Sequence, residues 1–267
     1  MTVLQALVLG AVQGLTEFLP VSSSGHLVLA NYFLGWGEQL PLWVDIATNT
    51  GTLLAVLVYL RRDVAAALGG FVSGLFSAEA RRRPGWRLAL LVLAGSVPTA
   101  AIGLALRGVF ESLNAPLPVA IALAVTGLIL WLAPKAGHKK EPAEVTFADA
   151  VVAGVVQGVA VVPGISRSGS TISALLARGV DKELAPRLSF LLYLVVSLGV
   201  AVLGVGEVRD AGVELGPLVA MTAASFAVGY AALVTVFAVL RRGRFRVFAP
   251  YLWVLSAITI ASVLLGR

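Results

Sequence analysis

Gly10-Ala11-Val12-Gln13-Gly14-Leu15-Thr16-Glu17-Phe18-Leu19-Pro20-Val21-Ser22-Ser23-Ser24-Gly25-His26 returns 144 residues later as Gly154-Val155-Val156-Gln157-Gly158-Val159-Ala160-Val161-Val162-Pro163-Gly164-Ile165-Ser166-Arg167-Ser168-Gly169-Ser170. Seven of the seventeen positions are identical, namely Gly10, Val12, Gln13, Gly14, Ser22, Ser24 and Gly25, and Pro20 meets Pro163 one position out of register. Each copy is an apolar helical stretch broken by Pro and Gly, then a serine-rich turn, then a second short apolar stretch. Three long apolar segments follow each copy, the last ending at Gly266. Paired, interrupted apolar segments at matching positions of two halves point to a midplane site in an inverted-repeat membrane fold. The expectation is an all-α polytopic membrane protein in one membrane domain, with a first repeat over 1–136 and a second over 137–267.

Composition supports a membrane setting. Of 267 residues, 58% are hydrophobic and 13% charged, against about a quarter charged in a soluble domain. Mean hydropathy is +0.93. Uncharged runs such as Leu88 to Leu106, Ser112 to Pro134, Leu188 to Gly206, Leu215 to Leu240 and Val247 to Gly266 reach the length that crosses a bilayer. With no cysteine, thiol nucleophiles, thiolate zinc sites, disulfides and iron–sulfur clusters are excluded together. The stretch Met1 to Thr16 lacks a basic n-region, so it reads as part of the fold and not as a signal peptide.

Charge placement selects the topology. Leu27 to Trp36 and Thr171 to Ala177 are too short to span and read as re-entrant. If each broken unit leaves on the side it entered, the loops 61–87, 134–146, 178–187 and 241–246 share one side and hold sixteen of the twenty basic residues. The other side keeps Arg107, Arg209 and Arg267 beside Glu38, Glu111, Glu207, Asp210 and Glu214. The positive-inside rule then makes the first side cytoplasmic, with both termini outside. Six spans follow, near 44–60, 88–106, 117–133, 188–206, 216–240 and 248–266, with one hairpin entering from each face. The net charge of +6 is therefore a topology signal, and no nucleic-acid partner is expected.

The twentieth basic residue, Arg167, sits at the tip of the second hairpin, and Glu17 at the tip of the first. Ionisable groups at bilayer depth are costly and mark functional sites. Two serine-glycine turns that open helices toward one volume aim backbone N–H groups and positive dipole ends at an anion, for which phosphate is the natural occupant. Arg167 adds a forked cation, and Ser166, Ser168, Ser170 and Thr171 add neutral donors. The first tip supplies the carboxylate of Glu17, the proton-moving imidazole of His26, and Ser22, Ser23 and Ser24 as nucleophile candidates. The set suits phosphoryl transfer or hydrolysis. Plain structural roles compete: Ser22, Ser24 and Ser168 as helix caps, Glu17 with Arg167 as an ion pair joining the halves, His26 bonding a carbonyl, and Gln13 and Gln157 bonding backbone between hairpins. His138 reads as a solvated loop residue, and Trp36, Trp43, Trp131, Trp253 and Tyr251 as interfacial anchors.

The runs Gln13 to His26 and Pro163-Gly164-Ile165-Ser166-Arg167-Ser168-Gly169-Ser170-Thr171 resemble the two signature motifs of the bacterial undecaprenyl-diphosphatase, or bacitracin-resistance, family. The first is similar to its (Glu/Gln)-x-x-x-Glu followed by a Ser-Ser-x-Gly-His run, the second to its Pro-Gly-x-Ser-Arg-Ser-x-x-Thr run. The resemblance covers the chain in length, repeat and span count. It implies an integral membrane phosphatase that removes the terminal phosphate of undecaprenyl diphosphate and so recycles the lipid carrier of cell-wall building blocks. It implies a divalent cation as well, Mg2+ by preference with Ca2+ or Mn2+ as alternatives, and a site facing out of the cytoplasmic membrane.

By motif position the resemblance implies that Glu17 with Gln13 holds the metal or the attacking group. Ser23 is its nucleophile, His26 its acid/base or alternative nucleophile, and Arg167 with Ser166 and Thr171 its diphosphate clamp. Ser22, Ser24, Ser168 and Ser170 complete the substrate-binding set. Asn49-Thr50-Gly51-Thr52 departs from the His or Gln that often precedes Gly-Thr or Gly-Ser in this family, which leaves the role of Asn49 open. A polyprenyl tail stays in the bilayer, at ~0.8 kcal/mol per buried methylene, so membrane lipid and lipid substrate are the expected partners and the site must open sideways. Monomer and homodimer both remain open. Transport or flipping of a phosphorylated lipid is the competing activity, because inverted repeats with half-helices also build transporters.

Overall fold

The computed structural model describes residues 1–36, 40–134, 140–242 and 244–266. His138 lies outside them. The described residues are helical with no strand: α1 Val3–Phe18, α2 Ser23–Leu34, α3 Leu42–Tyr59, α4 Arg61–Phe76, α5 Pro84–Ala105, α6 Arg107–Ser112, α7 Pro116–Leu132, α8 Phe147–Val159, α9 Arg167–Ala177, α10 Leu184–Leu203, α11 Val205–Asp210, α12 Leu215–Arg241 and α13 Phe248–Leu264. Among them, five stretches are long and apolar enough to cross a membrane: Leu42–Tyr59, Pro84–Ala105, Leu184–Leu203, Leu215–Leu240 and Phe245–Leu264. The apolar α7 has 17 residues and falls just short of that length.

The broken units are built from short helices. α1 has 16 residues, α2 12, α8 13 and α9 11. At 1.5 Å per residue the longest reaches about 24 Å, less than the roughly 30 Å of a bilayer's hydrocarbon core. Their ends are set by local chemistry that repeats at the offset of 144. Thr2 and Gln5 form a capping box at the start of α1, and Thr146 and Asp149 form one at the start of α8. Ser22 caps α2 by accepting from the Gly25 N–H, and Ser166 caps α9 by accepting from the Gly169 N–H. α1 stops at Phe18 because Leu19 precedes Pro20 and is extended.

The halves pack reciprocally. α1 lies on α12, and α8 lies on α5. The Gly-x-x-x-Gly shared by both copies permits this. A Cβ at Gly14 would lie 2.6 Å from the Ser225 carbonyl oxygen on α12, and one at Gly154 would lie 1.9 Å from that of Gly95 on α5. Backbones that approach this closely replace the missing hydrophobic drive between helices in lipid. Trp36 and Trp43 pack on a buried cluster with Leu9 and Met221, whereas Trp253 stays exposed while donating to the Ala124 carbonyl at 3.2 Å.

At the base of the second hairpin the fully buried Asp149 binds Lys140 at 2.9 Å and Arg178 at 2.8 Å and accepts from Thr146. This clasp joins the start of α8 to the end of α9. Burial alone would raise the Asp149 carboxyl, but the bonds from Thr146, Lys140 and Arg178 hold it well below the usual carboxylate range.

Candidate active site

The two tips touch. Ser22 has a φ of 70°, and its Oγ accepts from the Gly164 N–H at 3.1 Å as well as from Gly25. Gly164 itself has a φ of 96° and faces the Val119 carbonyl so closely that a Cβ would lie 2.5 Å away. Thr126, on α7, clamps the same turn: its Oγ1 donates to the Gly164 carbonyl at 2.9 Å and accepts from the Ser166 N–H at 3.0 Å. Ser22 thus caps α2 and connects the tips, and Ser166 caps α9 and is tied to α7.

Glu17, in the last turn of α1, is the hub. It is 7% exposed. One carboxylate oxygen accepts from Gln13 Nε2 at 2.8 Å and from the hydroxyl of Ser23, and the other accepts from Arg167. An ionised carboxylate only accepts, so the Gln13 amide turns its nitrogen to Glu17 and leaves Oε1 buried without a partner. Of the two roles open to Gln13, a backbone bond between hairpins and a place beside Glu17, the structure shows the second: its partner is the carboxylate one turn on. Gln157 likewise donates to Thr99 Oγ1 at 3.3 Å, and its Oε1 is also buried and unpartnered.

Arg167 carries Glu17 on one side and the ring of Tyr193 on another, with Cζ 4.5 Å from the ring centroid. Tyr193 is fixed by a 2.9 Å hydroxyl contact with Thr52 and by the edge of Phe18. A small cavity lies here, lined by Glu17, Gln157, Arg167, Ser168, Phe190 and Tyr193 among others. Arg167 keeps 26% of its side chain exposed and Glu17 3%, so the guanidinium stands nearer the opening and the carboxylate lies below it.

His26 stands on α2 three residues from Ser23, on the same helix face. Its Nδ1 faces the Ser22 carbonyl at 2.7 Å and must donate, which leaves Nε2 to accept from the Tyr251 hydroxyl at 2.7 Å. The two rings stack at 5.8 Å. Both nitrogens are engaged, and the group hydrogen-bonded to Ser23 is the Glu17 carboxylate. Tyr251, an anchor by sequence, is thereby a partner of the site.

The other candidate residues divide. Ser168 donates to the Leu19 carbonyl at 3.3 Å, and Thr171 bonds the Arg167 carbonyl and Ser189. Ser170 is buried with an unpartnered hydroxyl. Ser24 is exposed, 3.5 Å from Ser22. Asn49 donates to the Asp45 carbonyl on its own helix, outside this constellation. Sequence reasoning missed Thr126, Tyr193 and Tyr251. Only the polar residue in an apolar span marked the first two.

Among the described residues no three His, Cys, Asp or Glu side chains gather as a metal cluster. Glu17 and Gln13 are one carboxylate and one neutral amide oxygen, donor types that suit a hard cation keeping waters and phosphate oxygens, and the Glu17 oxygen that Arg167 now occupies becomes available to such a cation when Arg167 turns to phosphate.

These features define a multi-pass helical membrane protein with a serine, a carboxylate and a guanidinium interlocked in its interior. The model of the bacitracin resistance protein BacA matches residues 6–258. Similar proteins include the undecaprenyl-diphosphatases of Acaryochloris marina, 62% identical over all of both chains, of Rubrobacter xylanophilus, 43% over 98% of each, and of Carboxydothermus hydrogenoformans, 40% over 98% of each. The chain belongs to the bacitracin resistance protein BacA family.

Proposed function

We infer that this protein is an integral membrane hydrolase that converts undecaprenyl diphosphate to undecaprenyl phosphate and inorganic phosphate, the activity named for its full-length relatives. The observation that carries the chemistry is the Ser23 hydroxyl donating to Glu17, whose other oxygen holds Arg167. A nucleophile hydrogen-bonded to a base that a third group orients is the general pattern of covalent catalysis, and here Gln13 orients Glu17.

In this reading Arg167 leaves Glu17 for the diphosphate, and the Ser23 proton passes to Glu17 as Oγ bonds to the terminal phosphorus. The anhydride bond breaks, and its electrons leave with undecaprenyl phosphate. Glu17 releases that proton to solvent. It then takes one from the water that attacks phosphoserine and returns it to Ser23 Oγ as inorganic phosphate departs. His26 Nε2, bonded to Tyr251, orders the rim of the tip. Ser22 and Ser166 shape the turns, and the N–H groups that open α2 and α9 face the phosphates. Ser24, Ser168, Ser170 and Thr171 complete the polar surround.

A divalent cation, Mg2+ in the first instance with Ca2+ or Mn2+ as alternatives, would be held by Glu17 and Gln13. When bound it supplies charge neutralisation of the phosphate oxygens. Asn49 takes no part.

The fold reading is six spans, with α7 as the sixth, and two re-entrant hairpins in an inverted repeat over 1–136 and 137–267. The matched capping boxes, matched serine caps and reciprocal helix packing support it. The membrane is the bacterial cytoplasmic membrane, with the basic loops inside and the site open to the outer face; the partners are membrane lipid and the lipid substrate, and a homodimer stays an alternative to the monomer.

Phosphate release from undecaprenyl diphosphate by pure protein in detergent tests the activity, because transport alone gives no phosphate there. Cysteines placed singly at Arg82 and Arg242 should label from the cytoplasm, and at Glu111 and Asp210 from outside; the reverse pattern at Arg242 would overturn the second hairpin.

A further inference from the structure

A cavity of about 410 Å³ opens away from the tips and shares no lining residue with the one at Glu17. The contact of Phe190 with Phe237, ring centroids 5.9 Å apart, stands between them. Arg61, Arg62 and Arg187 line it with a single acid, Asp63. Arg187 reaches Asp63 at a loose 3.5 Å, and Arg61 donates to the Val58 carbonyl at 3.2 Å. Arg62 is exposed, with no ion pair among the described residues. Three guanidinium groups against one carboxylate leave two positive charges facing the cavity.

Its depth in the fold is that of a membrane surface. Tyr59 ends α3, Arg61 and Arg62 open α4, Arg187 lies in the first turn of α10 and Phe237 near the end of α12, so three span-length helices terminate around it. Exposed apolar side chains continue from it along the spans: on α3 Val58 adjoins Tyr59 and Leu54 lies one turn beyond Val58, and on α12 Val234 lies one turn from Phe237. In a spanning bundle such side chains face acyl chains. A basic pocket between spans at the surface of the basic-loop side suits an acidic head group, and forked guanidinium groups suit phosphate oxygens.

We propose that this cavity binds the phosphate of an anionic membrane lipid, with its chains along Leu54, Val58 and Val234. The site is separate from the one that performs hydrolysis. A free inorganic phosphate shares the charge chemistry but makes no use of the apolar track.

The full chain in nanodiscs of equal phosphatidylglycerol and phosphatidylcholine, released and weighed by native mass spectrometry, tests this. Wild type should retain phosphatidylglycerol over phosphatidylcholine, and excess inorganic phosphate should leave it bound. Arg62→Gln should weaken retention about five-fold, and Arg62→Gln with Arg187→Gln about twenty-five-fold, at about five-fold per arginine near the surface. Arg81→Gln is the control on the same side, because Arg81 donates to the Gly74 carbonyl away from the cavity. Phosphate release measured in parallel verifies that each variant is folded. Equal retention of both lipids, unchanged retention in the folded double variant, or displacement by inorganic phosphate would each overturn the proposal.

Discussion

The Ser22 hydroxyl accepts the backbone N–H of Gly164 at 3.1 Å, 142 residues away in the chain. That bond joins the tips of the two broken units, and Ser22 adopts a φ of 70° to make it. Ser22→Ala keeps the unfavourable backbone and leaves buried N–H groups without their acceptor, at about 1–3 kcal/mol. Ser22→Gly loses the same bonds but relaxes the backbone. Thermal unfolding in detergent should rank wild type above Gly and Gly above Ala; Ala equal to or above Gly would contradict the strain.

Arg167 is held between Glu17 and the face of Tyr193. A lysine offers one point charge in place of the planar fork. Arg167→Lys should therefore lose on the order of 10²–10³ in turnover, the scale for removing a preorganised donor from a developing anion. Tyr193→Leu should lose roughly two- to thirty-fold by removing the cation–π platform, while Tyr193→Phe keeps it. Near-normal phosphate release by Arg167→Lys would make the guanidinium a structural partner of Glu17.

Tyr251 fixes His26 from α13 through a 2.7 Å bond to Nε2. Tyr251→Phe removes one hydrogen bond, on the order of 0.5–1.5 kcal/mol. Turnover should fall roughly two- to ten-fold, with the phosphoenzyme still formed. A loss as deep as that of Ser23→Ala would place the Tyr251 hydroxyl in the chemistry itself.

Asp149 has a carboxyl held low in the fold, so its contribution to stability is fully present above the ordinary carboxylate pKa and is lost as pH falls through the depressed value. Asp149→Asn should destabilise by about 1–3 kcal/mol, less than the 3–5 of a fully buried pair, because both cations reach water. Unfolding of wild type and Asp149→Asn across acid pH should converge as the clasp protonates. A constant difference down to the lowest pH would assign the effect to packing.

Much of this was legible in the sequence because it is local or periodic. The copy of Gly10 to Gly25 at Gly154 to Gly169 gave the paired breaks, and Glu17, Ser23 and Arg167, singled out as ionisable or nucleophilic groups at the tips, do meet. Roles that depend on distant partners were not legible. Ser22 and Ser23 are chemically alike in the chain, and only the fold gives one the Gly164 amide and the other the Glu17 carboxylate. Thr126, Tyr193 and Tyr251 reach the site from α7, α10 and α13, apolar helices whose own pattern says nothing more. The length of α7, at 17 residues, shows why span counts from composition are least secure for short helices that proline starts.

The central claim is that Ser23, deprotonated by Glu17, attacks the terminal phosphorus. Undecaprenyl diphosphate labelled in its terminal phosphate, quenched during turnover with wild type, Ser23→Ala, Glu17→Gln and His26→Ala, tests it most directly. The label should be found on Ser23 in wild type and His26→Ala, while Ser23→Ala carries none and loses at least about 10³ in phosphate release, on the scale of deleting a nucleophile. Substantial phosphate release by folded Ser23→Ala, or label recovered on His26, would contradict the account.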